Sequence, residues 1–260
     1  MDATAALGLH RALERIDRAV ARPLRGPYPL SPDGFGESTV MTEFDIDQAR
    51  FNMIEQQIRP WEVLDQRVLD TIAAVPREHF VPERYRHLAF ADLEIPLGHG
   101  QSMMAPKVEA RMLQALEIRQ DDLILEIGTG SGYVTACLAR LGRSVDSVDI
   151  FPDFADTARA RLEAEGVRNV MVETGDAVHG WNQGQLYDVI AVTGSIPEYV
   201  TDFERQLAVG GRLFIVVGEP PVMEALLVRR VREEEFHRTP IFETCLKPLL
   251  HAEKRPRFVF

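Results

Sequence analysis

The segment with the clearest chemical meaning is a glycine loop that follows a short apolar run and reads Glu126-Ile-Gly-Thr-Gly-Ser-Gly132. A strand that ends in closely spaced glycines and leads into a helix brings a ligand to the carboxyl edge of a parallel sheet. Glycines let the backbone turn sharply and approach a ligand that any β-carbon would obstruct. The loop therefore predicts a binding site for a small organic cofactor.

The residues around the loop separate the cofactors that could bind there. A phosphate-binding P-loop would need Lys and then Ser or Thr after its last glycine, whereas Tyr133 follows Gly132. A nicotinamide dinucleotide turn normally reads G-x-G-x-x-G, but here the third glycine comes one residue early and Glu126 precedes the loop. A carboxylate would repel a pyrophosphate, whereas it would attract the sulfonium and ammonium groups of S-adenosylmethionine. The loop therefore favours S-adenosylmethionine, with Glu126 near its amino-acid end.

Acidic residues that follow the next two predicted strands complete the expected cofactor site. Asp149 comes 21 residues after Gly128, where a carboxylate can accept hydrogen bonds from both ribose hydroxyls. Asp176 could accept from the adenine amino group, although a Gly-Asp turn explains it equally well. The predicted cofactor-binding residues are the two acids, the loop and its neighbours, namely Glu126, Gly128, Thr129, Gly130, Gly132, Asp149, Asp176 and Ala177.

The part of the chain after residue 107 alternates short apolar runs with amphipathic helical patterns. Strands are predicted over 123–127, 144–149, 170–174, 189–193 and 213–217, with strand-like pieces at 226–231 and 244–250. Helices are predicted over 107–117, 132–140 and 152–165 and near 200–207. This alternation predicts an α/β fold with a doubly wound, mostly parallel sheet that is covered on both faces. Together with the cofactor loop, it favours the Rossmann-like class I methyltransferase kind of this fold.

Helical patterns also precede this region. One runs over 45–59 and stops at Pro60, and a second has Asp65 as its N-cap and ends at Pro76. Residues 1–40 are rich in Ala, Arg and Pro, and we interpret them as an N-terminal extension that is poorly ordered or forms a short amphipathic helix. The methyltransferase domain is expected to span residues 41–260.

Composition limits the remaining classes. The formal net charge of −11 argues against nucleic acid as a partner. Cys137 and Cys245 have no metal-type spacing, so neither a disulfide framework nor a metal site is expected. No apolar run reaches the roughly 18 residues of a membrane span, and no secretory signal pattern opens the chain. The sequence therefore predicts a cytoplasmic protein, and it leaves the oligomeric state open.

Besides the glycine loop, three segments are distinctive, namely Val75-Pro-Arg-Glu-His-Phe-Val-Pro82, Pro96-Leu-Gly-His-Gly-Gln101 and Gly210-Gly-Arg-Leu-Phe-Ile-Val-Val-Gly218. With them, the chain from about Phe51 to Val217 resembles the protein-L-isoaspartate O-methyltransferases, which methylate the free carboxylate of isoaspartyl residues in damaged proteins. The resemblance implies S-adenosylmethionine as the cofactor and a carboxylate-bearing protein or peptide as the substrate.

The chain departs from this family on the acceptor side. The family usually follows its glutamine with Thr-Ile-Ser-Ala-Pro-His, whereas this chain reads Gln101-Ser-Met-Met-Ala-Pro-Lys107. Ser102 keeps the first hydroxyl, Met104 occupies the position of the family's active-site serine, and Lys107 replaces the histidine. Ser102 and Lys107 are the candidate catalytic residues, with Lys107 as a cationic contact to the acceptor carboxylate. A lysine near the start of a helix is, however, ordinarily a solvated surface residue.

The loss of the serine need not abolish the reaction. A carboxylate is already nucleophilic at neutral pH, so methyl transfer requires positioning and desolvation more than a general base. Our leading hypothesis is carboxyl O-methylation of isoaspartyl residues. The alternatives are a paralogous methyltransferase with a different acceptor and a non-catalytic protein that only binds the cofactor.

Overall fold

A computed structural model describes residues 43–182 and 184–252 of the chain. The predicted N-terminal extension, residues 1–40, lies outside the described residues. The α-helices are α1 (Glu43–Met53), α2 (Gln66–Ala74), α3 (Arg77–Phe80), α4 (Pro106–Ala115), α5 (Tyr133–Leu141) and α6 (Pro152–Ala164). The strands are β1 (Ile95–Gly98), β2 (Gln101–Met103), β3 (Leu123–Ile127), β4 (Ser144–Asp149), β5 (Val170–Thr174), β6 (Tyr187–Ile196), β7 (Leu207–Glu219), β8 (Val222–Arg232) and β9 (Glu235–Thr244).

Seven strands form one sheet in the order β5-β4-β3-β6-β7-β8-β9, and β1 pairs with β2 in a separate antiparallel hairpin. The strands from β5 across to β7 are parallel, whereas β8 and β9 are antiparallel to their neighbours. The chain leaves β3 towards β4 and β5 and then returns to β6 on the other side of β3. Ligands bind at such a switch point. The predicted doubly wound, mostly parallel α/β fold is confirmed.

Alternation along the strands divides the interior into two cores. Ile124 and Val145 face a core that the helices α2, α4 and α5 complete, whereas Leu125 and Ile127 face the opposite core. That second core is closed by irregular segments that contribute Phe203 and Ala177 rather than by helices. The prediction of a covered sheet is therefore correct, although the described residues that cover one face are not helical.

The N-terminal helical predictions agree with the structure. Asp65 caps α2, because its carboxylate accepts a hydrogen bond from the backbone N–H of Arg67 at 2.8 Å. α1 continues into a π-helical turn, Ile54–Ile58, and ends in a 3₁₀ turn, Arg59–Trp61, which contains Pro60. Proline ends the helix because it lacks a backbone donor.

Two predictions near the C-terminus are wrong. The helix expected near 200–207 is only a 3₁₀ turn, Glu204–Gln206, and the strand expected over 244–250 is limited to a single bridge between Ser195 and Pro248. The last strand is instead β9. Its apolar pattern is interrupted by charged residues and by Pro240, so the sequence does not predict a strand there. Within the part of the chain that the structure describes, β9 pairs only with β8 and is an edge strand, where proline is tolerated. Among the described residues, no helix is long and apolar enough to cross a membrane.

Candidate active site

A cleft that holds about 650 Å³ of space, open solvent included, lies at the carboxyl ends of β3, β4 and β6. We call it the outer pocket; its lining includes Asp149, Asp176 and Leu250. A smaller inner pocket of about 310 Å³, whose lining includes Met104 and Glu109, adjoins it. The two pockets share lining residues from the hairpin, the glycine loop and β6, namely Leu97, Ser102, Gly128, Gly130 and Thr193. The two pockets therefore adjoin each other around these shared residues.

The glycine loop forms the floor of both pockets. Gly128 and Gly130 have φ angles of +98° and +52°, which L-residues with side chains rarely adopt. A β-carbon on Gly128 would collide with the Thr193 hydroxyl, which donates to the Gly128 carbonyl oxygen at 2.6 Å. Gly132 lines neither pocket, so its predicted contact with the cofactor is not supported. A β-carbon on Gly132 would lie 3.1 Å from the β-carbon of Ala158 on α6. The first two glycines open the cleft, and the third allows close helix packing.

Asp149 is held rigidly at the end of β4. One carboxylate oxygen accepts from the backbone N–H of Gly130 at 2.8 Å and the other from that of Phe151 at 2.9 Å. Burial raises the pKa of Asp149 above its ordinary value, whereas the two backbone donors lower it. Asp149 lines the outer pocket, and its carboxylate oxygens keep lone pairs that could accept further hydrogen bonds. Its contact with ribose hydroxyls stays a prediction.

Asp176 and Ala177 also line the outer pocket. The Asp176 carboxylate accepts from the backbone N–H of Val178 at 3.1 Å and lies 2.6 Å from Nδ1 of His251. Burial acts to raise the pKa of Asp176, but these two contacts outweigh it and hold the pKa below its ordinary value. Asp176 therefore stabilises a turn, as a Gly-Asp pair suggests, and it also lies in the pocket where it could accept from an adenine amino group.

Glu126 is not where the charge argument placed it. Its side chain is completely buried on the face of the sheet that packs against α5, and it lines neither pocket. Oε2 accepts hydrogen bonds from the hydroxyls of Thr135 and Ser147, both at 2.5 Å, and Oε1 has no partner among the described residues. Burial raises the pKa of Glu126 to about 8, against the effect of those two hydroxyls. A protonated, enclosed side chain cannot attract a cationic ligand as predicted, because strand alternation directs it away from the cleft.

The protonation of Glu126 gives a testable pH dependence of stability. The folded chain keeps this proton up to about pH 8, whereas an unfolded glutamate loses it near pH 4.5. Since the folded state binds the extra proton between these values, the wild type loses stability as the pH rises through this window. Glu126→Gln removes this loss. Thermal unfolding at several pH values is expected to show the variant gaining several degrees in Tm relative to the wild type as the pH rises. A difference that stays constant or falls would contradict the assignment.

The loop residue Thr129 supports the same buried network. Its hydroxyl lies 2.6 Å from that of Ser147, and the residue lines the inner pocket. Thr129 therefore contributes backbone rather than a free hydroxyl to a ligand, because its side chain already has a partner.

On the acceptor side, Ser102 lies in the lining of both pockets. Its hydroxyl donates to the Glu94 carboxylate at 2.8 Å. Met104 lines the inner pocket with its side chain almost fully buried, and its carbonyl oxygen accepts from Nη2 of Arg77 at 2.8 Å. The segment that the sequence associated with the acceptor thus borders the junction of the two pockets.

Lys107 requires a correction. Its ammonium group forms an ion pair with Asp92 at 2.7 Å and lies 4.6 Å from the centre of the Trp61 ring. Lys107 lines neither pocket. The predicted contact between Lys107 and an acceptor carboxylate is therefore not supported, because the charge is paired and the first turn of α4 directs it away from the cleft.

Several lining residues were not identified from the sequence. The β1–β2 hairpin contributes Leu97, and the ring of His99 at its tip stacks on Phe151 with centroids 4.1 Å apart. The opposite wall comes from the C-terminal segment, where Leu249 donates its N–H to the Ser195 carbonyl oxygen at 2.9 Å. Thr193 ends the strand predicted over 189–193, and this position could have identified it as a lining residue. The contacts of the hairpin and of the C-terminal segment depend on the tertiary fold and have no such signal in the sequence.

The charges of the cleft are one-sided. Among the described residues, the linings of both pockets contain the carboxylates Asp149, Asp176 and Glu109 and no Lys, Arg or His. The described residues also contain no group of His, Cys, Asp and Glu able to hold a metal ion. The cleft therefore suits a ligand that carries positive charge and hydroxyl groups and disfavours one with phosphates.

Comparison with known proteins gives a consistent result. The model of the family described as protein-L-isoaspartate(D-aspartate) O-methyltransferase matches residues 48–253. A protein-L-isoaspartate O-methyltransferase of Koribacter versatilis is 39% identical over 210 residues, which cover 81% of this chain and 93% of the relative. One from Rhodopseudomonas palustris is 43% identical over 205 residues, covering 78% and 84%.

A similar fold occurs among solved structures. A protein from Plasmodium falciparum, assigned to the protein-L-isoaspartate O-methyltransferases and solved in complex with S-adenosyl-L-homocysteine, superposes with a TM-score of 0.65. The superposition covers 78% of this chain and 97% of the other at 18% sequence identity. At this identity the likeness concerns the fold.

Proposed function

This chain belongs to the protein-L-isoaspartate(D-aspartate) O-methyltransferase family, and from that premise we propose how its cleft performs the family's reaction. The chain is an S-adenosylmethionine-dependent methyltransferase. We propose that the donor binds across the outer and inner pockets and that the acceptor is the free carboxylate of an isoaspartyl residue in a protein or peptide. The observation that carries this assignment is the glycine-floored cleft, whose described lining has carboxylates and no cationic side chain.

The residues of the cleft fit S-adenosylmethionine. Asp149 is buried and fixed by two backbone donors, so it can accept from ribose hydroxyls at little further cost in side-chain entropy. Gly128 and Gly130 leave room for the ligand where side chains would intrude. Asp176 and Ala177 border the part of the outer pocket proposed for the adenine ring. Glu126 acts behind the loop as a buried support.

The chain's own residues then have to position and desolvate the acceptor. When bound, S-adenosylmethionine would supply a methyl group on a positively charged sulfur. A carboxylate oxygen could then form a bond to the methyl carbon as the methyl–sulfur bond breaks, with S-adenosylhomocysteine as the leaving group. The Ser102 hydroxyl lies at the junction of the pockets and now donates a hydrogen bond to Glu94. When the side chain rotates away from Glu94, the hydroxyl donates a hydrogen bond to the acceptor carboxylate instead. Leu97 and Met104 supply an apolar surface that excludes water from the attacking oxygen. A carboxylate is ionised at neutral pH, so no general base is required.

The function is tested with a matched pair of peptides that differ only in an isoaspartyl or an aspartyl linkage. We expect the protein to transfer a labelled methyl group from S-adenosylmethionine to the isoaspartyl peptide as a base-labile ester and to leave the aspartyl peptide unlabelled. Absence of any ester on the isoaspartyl peptide would contradict the proposed acceptor. If other proteins of a cell lysate were then labelled, a methyltransferase with a different acceptor would replace it.

Met104 gives a second test, because the family's active-site serine stands at this position. Met104→Ser is expected to raise kcat/KM for the isoaspartyl peptide by about 10- to 100-fold, since a hydroxyl bonded to a charged group contributes roughly 1.5 to 3 kcal/mol. Steady-state kinetics with the peptide as the varied substrate measures it. The control is Met103→Ser, since Met103 is also nearly fully buried and lines the same pocket. Equal rates in both variants would show that residue 104 does not face the acceptor.

The surroundings of the enzyme follow from the same features. We propose that it acts in the cytoplasm on protein or peptide substrates and has no nucleic-acid partner. The free thiols of Cys137 and Cys245 suit a reducing compartment, and the net charge of −11 disfavours polyanions. The family match over residues 48–253 supports a methyltransferase domain within the predicted range 41–260.

A further inference from the structure

Glu109 is a buried carboxylate that no sequence pattern singled out. It lies in α4, it is 2% exposed, and it lines the inner pocket. Oε2 accepts a hydrogen bond from Nη1 of Arg77, whereas Oε1 accepts none from the part of the chain that the structure describes. Among the described lining residues, Glu109 is the one acid of the inner pocket. The inner pocket therefore contains a carboxylate oxygen available to a ligand.

Arg77 fixes this carboxylate in place and opposes its protonation. The guanidinium is 1% exposed and also donates to the carbonyl oxygens of Ala89 at 2.9 Å and Met104 at 2.8 Å. It lies 4.6 Å from the centre of the Tyr133 ring, at the start of α5. Burial raises the pKa of Glu109, and Arg77 opposes this rise. Protonation of Glu109 would leave a buried guanidinium without a counter-charge, so we favour the ionised form.

The two pockets together impose an orientation on the donor. Asp149 is a lining residue of the outer pocket alone, so ribose binding there places the adenosine half in the outer pocket. The shared wall formed by Gly128, Gly130 and Ser102 then directs the other half into the inner pocket. That half carries an ammonium group, which must find a charged or polar partner when water is excluded.

We propose that Glu109, and not Glu126, binds the ammonium group of the methyl donor. The inference rests on the proposed function, since it takes S-adenosylmethionine as the ligand of the cleft. Glu126 is sealed between β3 and α5 with both of its hydroxyl donors on one oxygen, whereas Glu109 faces the inner pocket. Arg77 is a positioning residue in this arrangement, because it holds the carboxylate and the Met104 carbonyl without lining either pocket.

Binding calorimetry with two probes tests the proposal. S-Adenosylhomocysteine carries the amino-acid group, whereas 5′-methylthioadenosine keeps the adenosine and sulfur but lacks that group. Glu109→Gln keeps an acceptor for Arg77 and removes the charge. We expect this variant to lower the affinity for S-adenosylhomocysteine at least about tenfold, since hydrogen bonds to charged groups contribute more than neutral ones. The affinity for 5′-methylthioadenosine should change by less than about threefold.

Matched variants exclude a general effect on folding. Glu126→Gln is expected to bind both probes within about threefold of the wild type. Glu109→Asp keeps the charge beside Arg77 and replaces Glu109→Gln in the test if that variant does not fold. It should lower the affinity for S-adenosylhomocysteine more than the affinity for 5′-methylthioadenosine. Equal weakening of both probes by the Glu109 variants, or a selective loss in Glu126→Gln, would overturn the proposal. Failure of the wild type to bind either probe would overturn the proposed function itself.

Discussion

Asp149→Ala is expected to reduce the affinity for S-adenosylhomocysteine by about 100-fold, which corresponds to about 2.7 kcal/mol. The variant removes the acceptor proposed for the ribose hydroxyls and also frees the backbone N–H groups of Gly130 and Phe151. Hydrogen bonds to a charged group contribute roughly 1.5 to 3 kcal/mol each, so the loss of the ribose contacts alone accounts for this magnitude. Calorimetric titration of the variant and the wild type measures it.

The control for this prediction is Asp153→Ala. Asp153 lies in the first turn of α6, exposed to solvent and paired with His99 at 3.0 Å, and it is absent from the lining of either pocket. We expect its affinity for S-adenosylhomocysteine to stay within about threefold of the wild type. Similar affinities for the two variants would contradict the role of Asp149, because both remove one acid near the same helix.

Gly128→Ala is expected to abolish measurable donor binding while the chain still folds. The added β-carbon would collide with the Thr193 hydroxyl, and the φ of +98° is strained for any residue with a side chain. The collision is relieved if the Thr193 hydroxyl rotates away from the Gly128 carbonyl or if the loop moves, and either change alters the wall that the two pockets share. Tryptophan fluorescence or calorimetry with S-adenosylhomocysteine measures binding, and thermal unfolding checks that the variant is folded.

Gly166→Ala separates the collision from the backbone strain. Gly166 has a φ of +71° in the turn after α6, and a β-carbon there would meet nothing within 4 Å. Both variants should lose stability of the order of 1 kcal/mol from the left-handed backbone, but only Gly128→Ala should lose donor binding. Normal binding by Gly128→Ala would show that the ligand does not depend on the loop's present conformation.

The comparison of sequence and structure shows which features local patterns can predict. The loop after β3 and the acid at the end of β4 were predicted correctly in position, because strand, glycine loop and helix follow one another along the chain. The helix expected near 200–207 failed because tertiary packing of Phe203 closes that face of the sheet without helical structure. Local propensity is a weak guide where packing between distant segments decides.

Side-chain direction was harder to predict than position. Glu126 was placed correctly at the end of β3, but a single step of strand alternation turns it into the core and away from the ligand. Lys107 was placed correctly at the start of α4, but its partners Asp92 and Trp61 come from distant segments. Glu109 follows Lys107 by two residues, yet only the fold reveals that it lines the inner pocket while Lys107 does not.

The chain differs from its family mainly on the acceptor side of the cleft. Ser102 and the glycine loop keep the framework in which a donor and an acceptor meet, whereas Met104 removes one hydroxyl from the inner pocket. The lost hydroxyl lowers the stabilisation of a bound carboxylate without altering the path of the displacement. The chain is therefore expected to retain isoaspartyl methylation at a lower rate than relatives that keep the serine.

The most direct test of the central claim is a crystal structure of the protein with S-adenosylhomocysteine. We expect the ribose hydroxyls within hydrogen-bond distance of Asp149, the adenine ring beside Asp176 and Ala177, and the sulfur at the junction of the pockets near Ser102. The amino group should lie in the inner pocket against Glu109. A ligand bound elsewhere, or one with its ribose away from Asp149 and its amino-acid group in the outer pocket, would contradict the account.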